Sequence, residues 1–192
     1  MSSKKAARRQ AAAEQRLRQR RMTYVIAGVA AVLVLAAMFW FDARSRALPP
    51  VLQGRVEEYP SEGAAHVPLG QRVTYRTDPP NSGPHYDRWA PPGFYTQPIV
   101  DELLVHNLEH GHIIIFYRPG ELSPEDEAYL LTLTRTYTGD WDAVLAVPRP
   151  GMAHPFTLAA WRRLLRLETL EKEAVEAFID AYRGRGPENP VR

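Results

Sequence analysis

The sequence predicts an α+β fold, in which a single N-terminal transmembrane helix precedes a compact extracytoplasmic domain with a small, mainly antiparallel sheet and flanking helices. Three observations favour this fold. Residues 22–41, MTYVIAGVAAVLVLAAMFWF, carry no charge. Patterns typical of strands and of helices both follow, without the regular alternation of a parallel α/β sheet. The stretch 103–119, LLVHNLEHGHIIIFYRP, places three of the six histidines directly before a strand-like apolar run.

Residues 22–41 have the length and the flanking charges of a membrane anchor. As a helix they would extend about 30 Å, the thickness of the hydrocarbon core of a bilayer. Residues 1–42 contain eight lysines and arginines against two acidic residues, a net charge of +6. Such a bias keeps the N-terminus cytoplasmic. A cleaved signal peptide is the alternative, but its apolar region is usually about 7–15 residues long and precedes small residues. We therefore predict a single-pass protein of the cell membrane whose C-terminal domain is extracytoplasmic.

These features divide the chain into five regions. They are a basic cytoplasmic segment (1–21), the transmembrane anchor (22–41), a linker (42–61), an extracytoplasmic domain with the histidine motifs (62–188) and a tail (189–192). Beyond residue 42 the chain has 16 basic and 20 acidic residues, a net charge of −4, so we expect no nucleic-acid binding. The expected partners are the membrane, through residues 22–41, and an envelope protein. The chain has no cysteine, so no disulfide would stabilise the domain.

Proline dominates the first part of the domain. Residues 49–98 hold ten of the 17 prolines. Because proline removes a backbone donor, little regular structure is expected there beyond a short strand near residues 73–75. The segment is also rich in tyrosine, tryptophan and phenylalanine, which disordered chains lack. We therefore expect an ordered loop wrapped onto a core.

Strands are expected mainly after residue 100. Residues 112–117 and 143–147 are short apolar runs bounded by turn residues, which is typical of buried strands. Residues 156–161 alternate apolar and polar side chains in part, and their continuation to residue 167 fits either a strand or a helix. The sequence leaves that choice open.

Two helices are predicted in the same region. The first covers residues 123–137, with Ser123 as its N-cap and Pro124 at its first helical position. The second begins at Thr169 as cap and ends just before Gly184, and its apolar residues recur on one face.

The motif HNLEHGH contains the first candidate ligands for a metal. In a helix, His106 and His110 would lie one turn apart on one face, close enough for both imidazoles to chelate one ion. In a turn, Gly111 would allow a reversal that also brings them together. Glu109 is a further candidate, as a ligand or as the group that orients an imidazole. The spacing differs from His-Glu-x-x-His, so the general-base role of that motif does not follow.

Two more histidines lie in the proline-rich segment. His85 follows PPNSGP, a loop stiffened by its prolines, and His66 lies in AAHVPLGQ. Neutral imidazole suits zinc, copper, iron and nickel. His112 and His154 are better explained as hydrogen-bonded packing residues, and an ion pair with Arg118 is the alternative for Glu109.

The paired motifs resemble those of a widespread, membrane-anchored bacterial family of unknown function. The likeness covers about residues 62–188 and is strongest at a Pro-Pro-x-x-Gly-Pro-His loop, here PPNSGPH, and a Val-His-x-Leu-Glu-His-Gly motif, here VHNLEHG. The resemblance implies that the signature polar residues are His66, His85, His106, Glu109 and His110. It also implies that His112 serves local packing, and it implies no activity.

Three functions remain open, and the sequence leaves enzymatic activity undecided. The favoured one is binding of a transition metal, zinc or copper(II), by His66, His85, His106, His110 and Glu109. If only three of them bind, the open position would suit a metal-dependent hydrolase. A metal-free enzyme would use a histidine and Glu109 for acid–base work in a cleft walled by Tyr86, Trp89 and Tyr95. A cell-envelope interaction or assembly module would use the histidines only to hold the proline-rich segment onto the sheet.

Overall fold

The computed structural model describes residues 22, 24, 28–36, 38 and 48–188. The chain divides into two units, Met1–Ala47 and Leu48–Arg192. In the first unit, residues 28–36 are helical and exposed. Within the described part of the chain, no helix combines the length and the apolarity needed to cross a membrane. The predicted anchor at 22–41 is described only in part, and the basic segment 1–21 and the tail 189–192 lie outside the described residues.

The second unit has an α+β fold built on a six-stranded sheet. The strands are β1 (Val56–Glu58), β2 (His66–Val67), β3 (His85–Tyr86), β4 (Gly93–Phe94), β5 (Ile113–Tyr117), β6 (Val144–Pro148), β7 (Phe156–Ala160) and β8 (Arg163–Leu167). The helices are α1 (Asp101–Glu109), α2 (Pro124–Thr136) and α3 (Lys172–Tyr182), and Pro50–Leu52 form a 3-10 turn. The sheet order is β1-β8-β7-β5-β6-β4, and β2 and β3 form a separate parallel pair.

The pairings confirm the predicted class. Strand β8 pairs antiparallel with β1 and with β7, and β7 pairs antiparallel with β5. The two remaining pairings of the six-stranded sheet, β5 with β6 and β6 with β4, are parallel. The sheet is therefore mainly antiparallel, with a parallel edge next to β5.

Both faces of the sheet are covered by helices. Side chains alternate along a strand, so Ile113 and Ile115 of β5 pack on the face that carries α2 and α3. Ile114 and Phe116 pack on the opposite face, against Leu104 and Leu108 of α1. All five residues of β5 are buried, which explains why the strand is continuously apolar.

The elements after residue 100 agree closely with the sequence patterns. Helix α2 begins after Ser123, whose side chain accepts a hydrogen bond from the Asp126 amide, as predicted for an N-cap. Residues 156–167, which fit either period, are the antiparallel hairpin of β7 and β8, and Arg162 at its turn has φ of 65°. The predicted cap of α3 at Thr169 is wrong, because the helix begins after Glu171.

The proline-rich segment contains four short strands, β1 to β4, but none at the predicted position. The strand predicted near residues 73–75 is not formed. The Val73 amide instead donates to a carboxylate oxygen of the buried Glu102 on α1 at 2.8 Å, so a side chain takes the place of a strand neighbour. The segment that the sequence assigned to a linker, 42–61, contains β1, which extends the sheet at β8.

Candidate metal centre

The end of α1 carries two histidines into a sharp turn. His106 lies on the helix and His110 caps it, so the helical alternative for this motif is the one observed. Gly111 then has φ of 94°, a conformation that favours glycine. A Cβ at Gly111 would also lie 2.8 Å from the backbone nitrogens of Arg185 and Gly186. The turn therefore requires glycine, and it leads directly into the buried strand β5.

The proline-rich segment brings two further histidines to this turn. Strand β3 pairs in parallel with β2, and the register sets His66 beside His85, with ring centroids 5.1 Å apart. The His66 and His106 rings are nearly parallel at 5.3 Å. Four imidazoles from three sequence segments thus share one small volume.

Backbone carbonyls fix the tautomers of three of these histidines. The Nδ1 atom of His85 lies 2.8 Å from the carbonyl oxygen of Gly83. The Nδ1 atom of His106 lies 2.7 Å from that of Tyr86, and the Nδ1 atom of His110 lies 3.1 Å from that of Asp140. A carbonyl only accepts, so each Nδ1 must donate its proton. In the neutral ring, Nε2 then carries the lone pair and is free to bind a metal.

The lone-pair nitrogens face other acceptors. The Nε2 atoms of His106 and His110 are 3.0 Å apart. His85 Nε2 lies 2.8 Å from Oε2 of Glu109. Without a proton or a cation between them, such pairs would repel, because each partner offers only electron pairs. A shared proton or a bound cation would remove this repulsion.

Burial controls the protonation of the cluster. The exposed fraction is 0% for His85, 3% for His106 and 4% for Glu109. Burial lowers the pKa of His85 and of His106, which favours the neutral ring that a metal needs. Burial and then the negative charge of Glu188 raise the pKa of Glu109. A divalent ion would lower it again, since it stabilises the carboxylate.

The polar atoms form two overlapping groups. The four-residue group consists of His66, His85, His106 and Glu109, and the three-residue group of His106, His110 and Glu188. In each group, one ligand atom per residue lies within 4.8 Å of all the others. Ligand atoms in a tetrahedral zinc site are about 3.4 Å apart, as bonds of about 2.1 Å require. The distances from Glu109 Oε2 to Nε2 of His85, 2.8 Å, and of His66, 3.9 Å, lie on either side of that spacing.

The predicted site residues therefore meet in space, although not as one set. His66, His85, His106 and Glu109 belong together, whereas His110 lies in the three-residue group. Glu188 was missed by the sequence analysis. No local pattern points to it, because its position depends on the close approach of Gly186 to the carbonyl of Glu109.

The two remaining histidines are explained without a metal. His112 is buried, accepts from the Asn107 side-chain amide at 2.9 Å and donates to the Asp140 carbonyl at 2.8 Å. Both of its nitrogens are satisfied, and burial lowers its pKa to about 4. His154 pairs with Glu168 at 2.6 Å, in neither group.

Tryptophans surround the cluster. The Trp89 and Trp141 rings lie 4.5 and 4.3 Å from that of His110, and both are partly exposed. Trp161 lies edge-on to His85 at 6.5 Å. Of the three aromatic residues expected to wall an acid–base cleft, Trp89 contacts the histidines, whereas Tyr95 packs against the core on the α1 face of the sheet.

One family model matches the chain. It covers residues 66–192, the part that contains every histidine and the whole of β5 to α3. No curated protein and no solved structure is significantly similar to the chain. The family is described as a protein of unknown function, so the match assigns no activity. The chain therefore belongs to the DUF3105 family of proteins of unknown function.

Proposed function

We propose that the domain binds one divalent transition-metal ion, zinc or copper(II), at the four-residue group. The observation that carries this proposal is the commitment of Nδ1 to backbone carbonyls in His85 and His106. It leaves two buried Nε2 lone pairs directed into the cluster, beside the Glu109 carboxylate. Outer hydrogen bonds of this kind orient imidazole ligands in metal sites.

The donor atoms favour metal ions that are neither strongly hard nor strongly soft in their choice of ligands. Three imidazole nitrogens and one carboxylate oxygen suit zinc or copper(II), whereas copper(I) prefers sulfur ligands. Four protein ligands close the first coordination shell, so binding, storage or delivery of the metal fits better than hydrolysis by a metal-bound water. His66 is the weakest member, since its side chain is 42% exposed, and loss of this ligand would open a position for water.

A cell-envelope module with structural histidines is the second candidate function. It is favoured by the hydrogen bonds that join the proline-rich segment to α1, from His106 to the Tyr86 carbonyl and from Asn107 to Ala90. These contacts stabilise the fold whether or not an ion binds. Under this alternative the histidines need no ligand, and a protein partner would carry the function.

The location of the domain is part of the proposal. The uncharged run 22–41 and the +6 charge of residues 1–42 support an anchor in the cell membrane, with the N-terminus cytoplasmic and the domain extracytoplasmic. On that side of the membrane, the domain would bind metal ions from outside the cytoplasm.

Elemental analysis of the full chain, purified in detergent without a polyhistidine tag, tests the proposal. We expect about one zinc or copper ion per chain, retained through mild chelation. His106→Ala should abolish retention, and His154→Ala is the matched control that should retain the ion. Equal metal content in these two variants, or a wild-type chain that takes up neither ion, would favour the envelope module instead.

A further inference from the structure

The C-terminal segment 184–188 is held against the histidine turn by its backbone. The Gly184 amide donates to the Gly111 carbonyl at 2.8 Å, and the Glu188 amide to the Glu109 carbonyl at 3.4 Å. Gly186 lies so close to Glu109 that no side chain fits between them. The position of Glu188 is therefore set by the same turn that carries His110.

The Glu188 side chain completes the three-residue group. Its Oε2 lies 3.0 Å from His110 Nε2, which in turn lies 3.0 Å from His106 Nε2. In the neutral rings both nitrogens carry lone pairs, because both Nδ1 atoms donate to carbonyls. His110 is buried and Glu188 is 39% exposed, so this group extends from the interior to the surface.

The two groups compete for one nitrogen. His106 Nε2 belongs to both, and a single lone pair binds one ion at a time. The carboxylates of Glu109 and Glu188 together supply two negative charges, which one divalent ion neutralises. A second ion would leave an uncompensated charge in a largely buried site, which is costly. These constraints favour one ion with two alternative positions.

We propose that His106, His110 and Glu188 form a second, weaker position for the same ion, through which it reaches and leaves the four-residue group. This inference rests on the proposed metal binding. In the transfer, the ion keeps His106, gives up His110 and Glu188, and gains His66, His85 and Glu109. Only ligands are exchanged, so no electron transfer or co-reactant is involved. The three-residue group is the weaker one because it offers three ligands instead of four.

The tryptophans provide separate reporters for the two positions. Trp141 lies 4.3 Å from His110, and Trp161 lies 6.5 Å from His85. Copper(II) quenches indole fluorescence at short range. Rapid mixing of the full chain in detergent with copper(II) should therefore give a fast quenching phase from Trp89 and Trp141, which both lie against His110, and a slower one from Trp161. Replacing both Trp89 and Trp141 by phenylalanine should remove most of the fast phase.

Glu188→Gln provides the kinetic test. We expect it to lower the association and dissociation rates of copper(II) by a similar factor, about tenfold, since it removes the charge that attracts the ion at the weaker position. The Kd should change much less than either rate, because all four ligands of the four-residue group remain and only the longer-range attraction of Glu188 is lost, whereas a purely structural role of Glu188 would act mainly on the Kd. Glu168→Gln, which alters the His154–Glu168 pair, is the matched control and should leave both rates unchanged.

His85→Ala tests the weaker position independently. It should abolish the slow phase and keep the fast one, because the three-residue group remains intact. Unchanged rates in Glu188→Gln, loss of both phases in His85→Ala, or two copper ions per wild-type chain would each overturn the second position while leaving metal binding in place. A full chain that binds neither copper nor zinc would overturn both proposals.

Discussion

Asn107 holds the backbone of Ala90 through two hydrogen bonds. Its Oδ1 accepts from the Ala90 amide at 2.9 Å, and its Nδ2 donates to the Ala90 carbonyl at 2.8 Å. The same Nδ2 also donates to His112 Nδ1 at 2.9 Å. One fully buried amide on α1 therefore secures both the proline-rich segment and the start of β5.

Asn107→Asp should strongly destabilise the fold. The substitution keeps the shape of the side chain but replaces the Nδ2 group by a carboxylate oxygen. This oxygen cannot donate, so the hydrogen bonds to the Ala90 carbonyl and to His112 are lost. We expect the free energy of unfolding to fall by about 3 kcal/mol, the range for a buried charge or lost polar partner. Urea unfolding of the full chain in detergent would measure it. Gln53→Glu, which alters an exposed amide, is the control and should change stability by less than about 0.5 kcal/mol.

Gly111→Ala should disturb the contact between the turn and segment 184–188. The new Cβ would lie 2.8 Å from backbone nitrogens that cannot move freely. Gly120→Ala is a matched control, since Gly120 has a similar φ of 89° but open space around the added atom. In both variants the free energy of unfolding should fall by about 1 kcal/mol, because alanine is strained at a positive φ. Urea unfolding would measure both losses, and the larger loss in Gly111→Ala would report the steric conflict. Equal losses in the two unfolding experiments would refute the close packing at this turn.

Local patterns predicted the elements that depend on neighbours in sequence. Five consecutive apolar residues indicated β5, and Ser123 with Pro124 indicated the start of α2. Glu188 could not be predicted in this way. Its place depends on a backbone contact between Gly186 and Glu109, which are far apart in the chain and carry no periodic signal.

Contacts between distant segments also decide how the candidate ligands are grouped, which the sequence left open. The five expected residues were identified by type and by resemblance, but spacing alone could not separate His110 from the four-residue group. The spacing also does not indicate the tautomers of the histidines, because these depend on the carbonyls of Gly83, Tyr86 and Asp140. The expected strand near residues 73–75 failed for a related reason, since a carboxylate of α1 took its hydrogen bond.

Acid should destabilise the metal-free protein through His112. Its pKa is lowered by burial to about 4, from an ordinary value of 6.5. Between these values the unfolded chain binds a proton that the folded chain does not, so stability is lost as the pH falls from about 6.5 to about 4. The loss attributable to His112 should be about 3 kcal/mol.

His112→Asn isolates this contribution. Its absolute stability is expected to be lower, but its unfolding free energy should depend less steeply on pH over the same range. His85 and His106, whose pKa values burial also lowers, contribute to the remaining slope. Urea unfolding at a series of pH values, after removal of metal with a chelator, would supply the slopes. Identical slopes for the wild type and the variant would mean that the folded protein does not hold His112 neutral.

The ligands of the four-residue group should contribute unequally to metal affinity. His85 is fully buried and oriented by the Gly83 carbonyl, whereas the His66 side chain is 42% exposed and lies 3.9 Å from Glu109. We expect His66→Ala to weaken zinc binding by about 10–100-fold, because three ligands remain and water can take the fourth position. His85→Ala should weaken it further, since it also leaves the buried Glu109 carboxylate without its partner. Competition titrations with a chromophoric chelator would give both dissociation constants, and a larger effect at His66 than at His85 would contradict the assignment of His85 as the anchoring ligand.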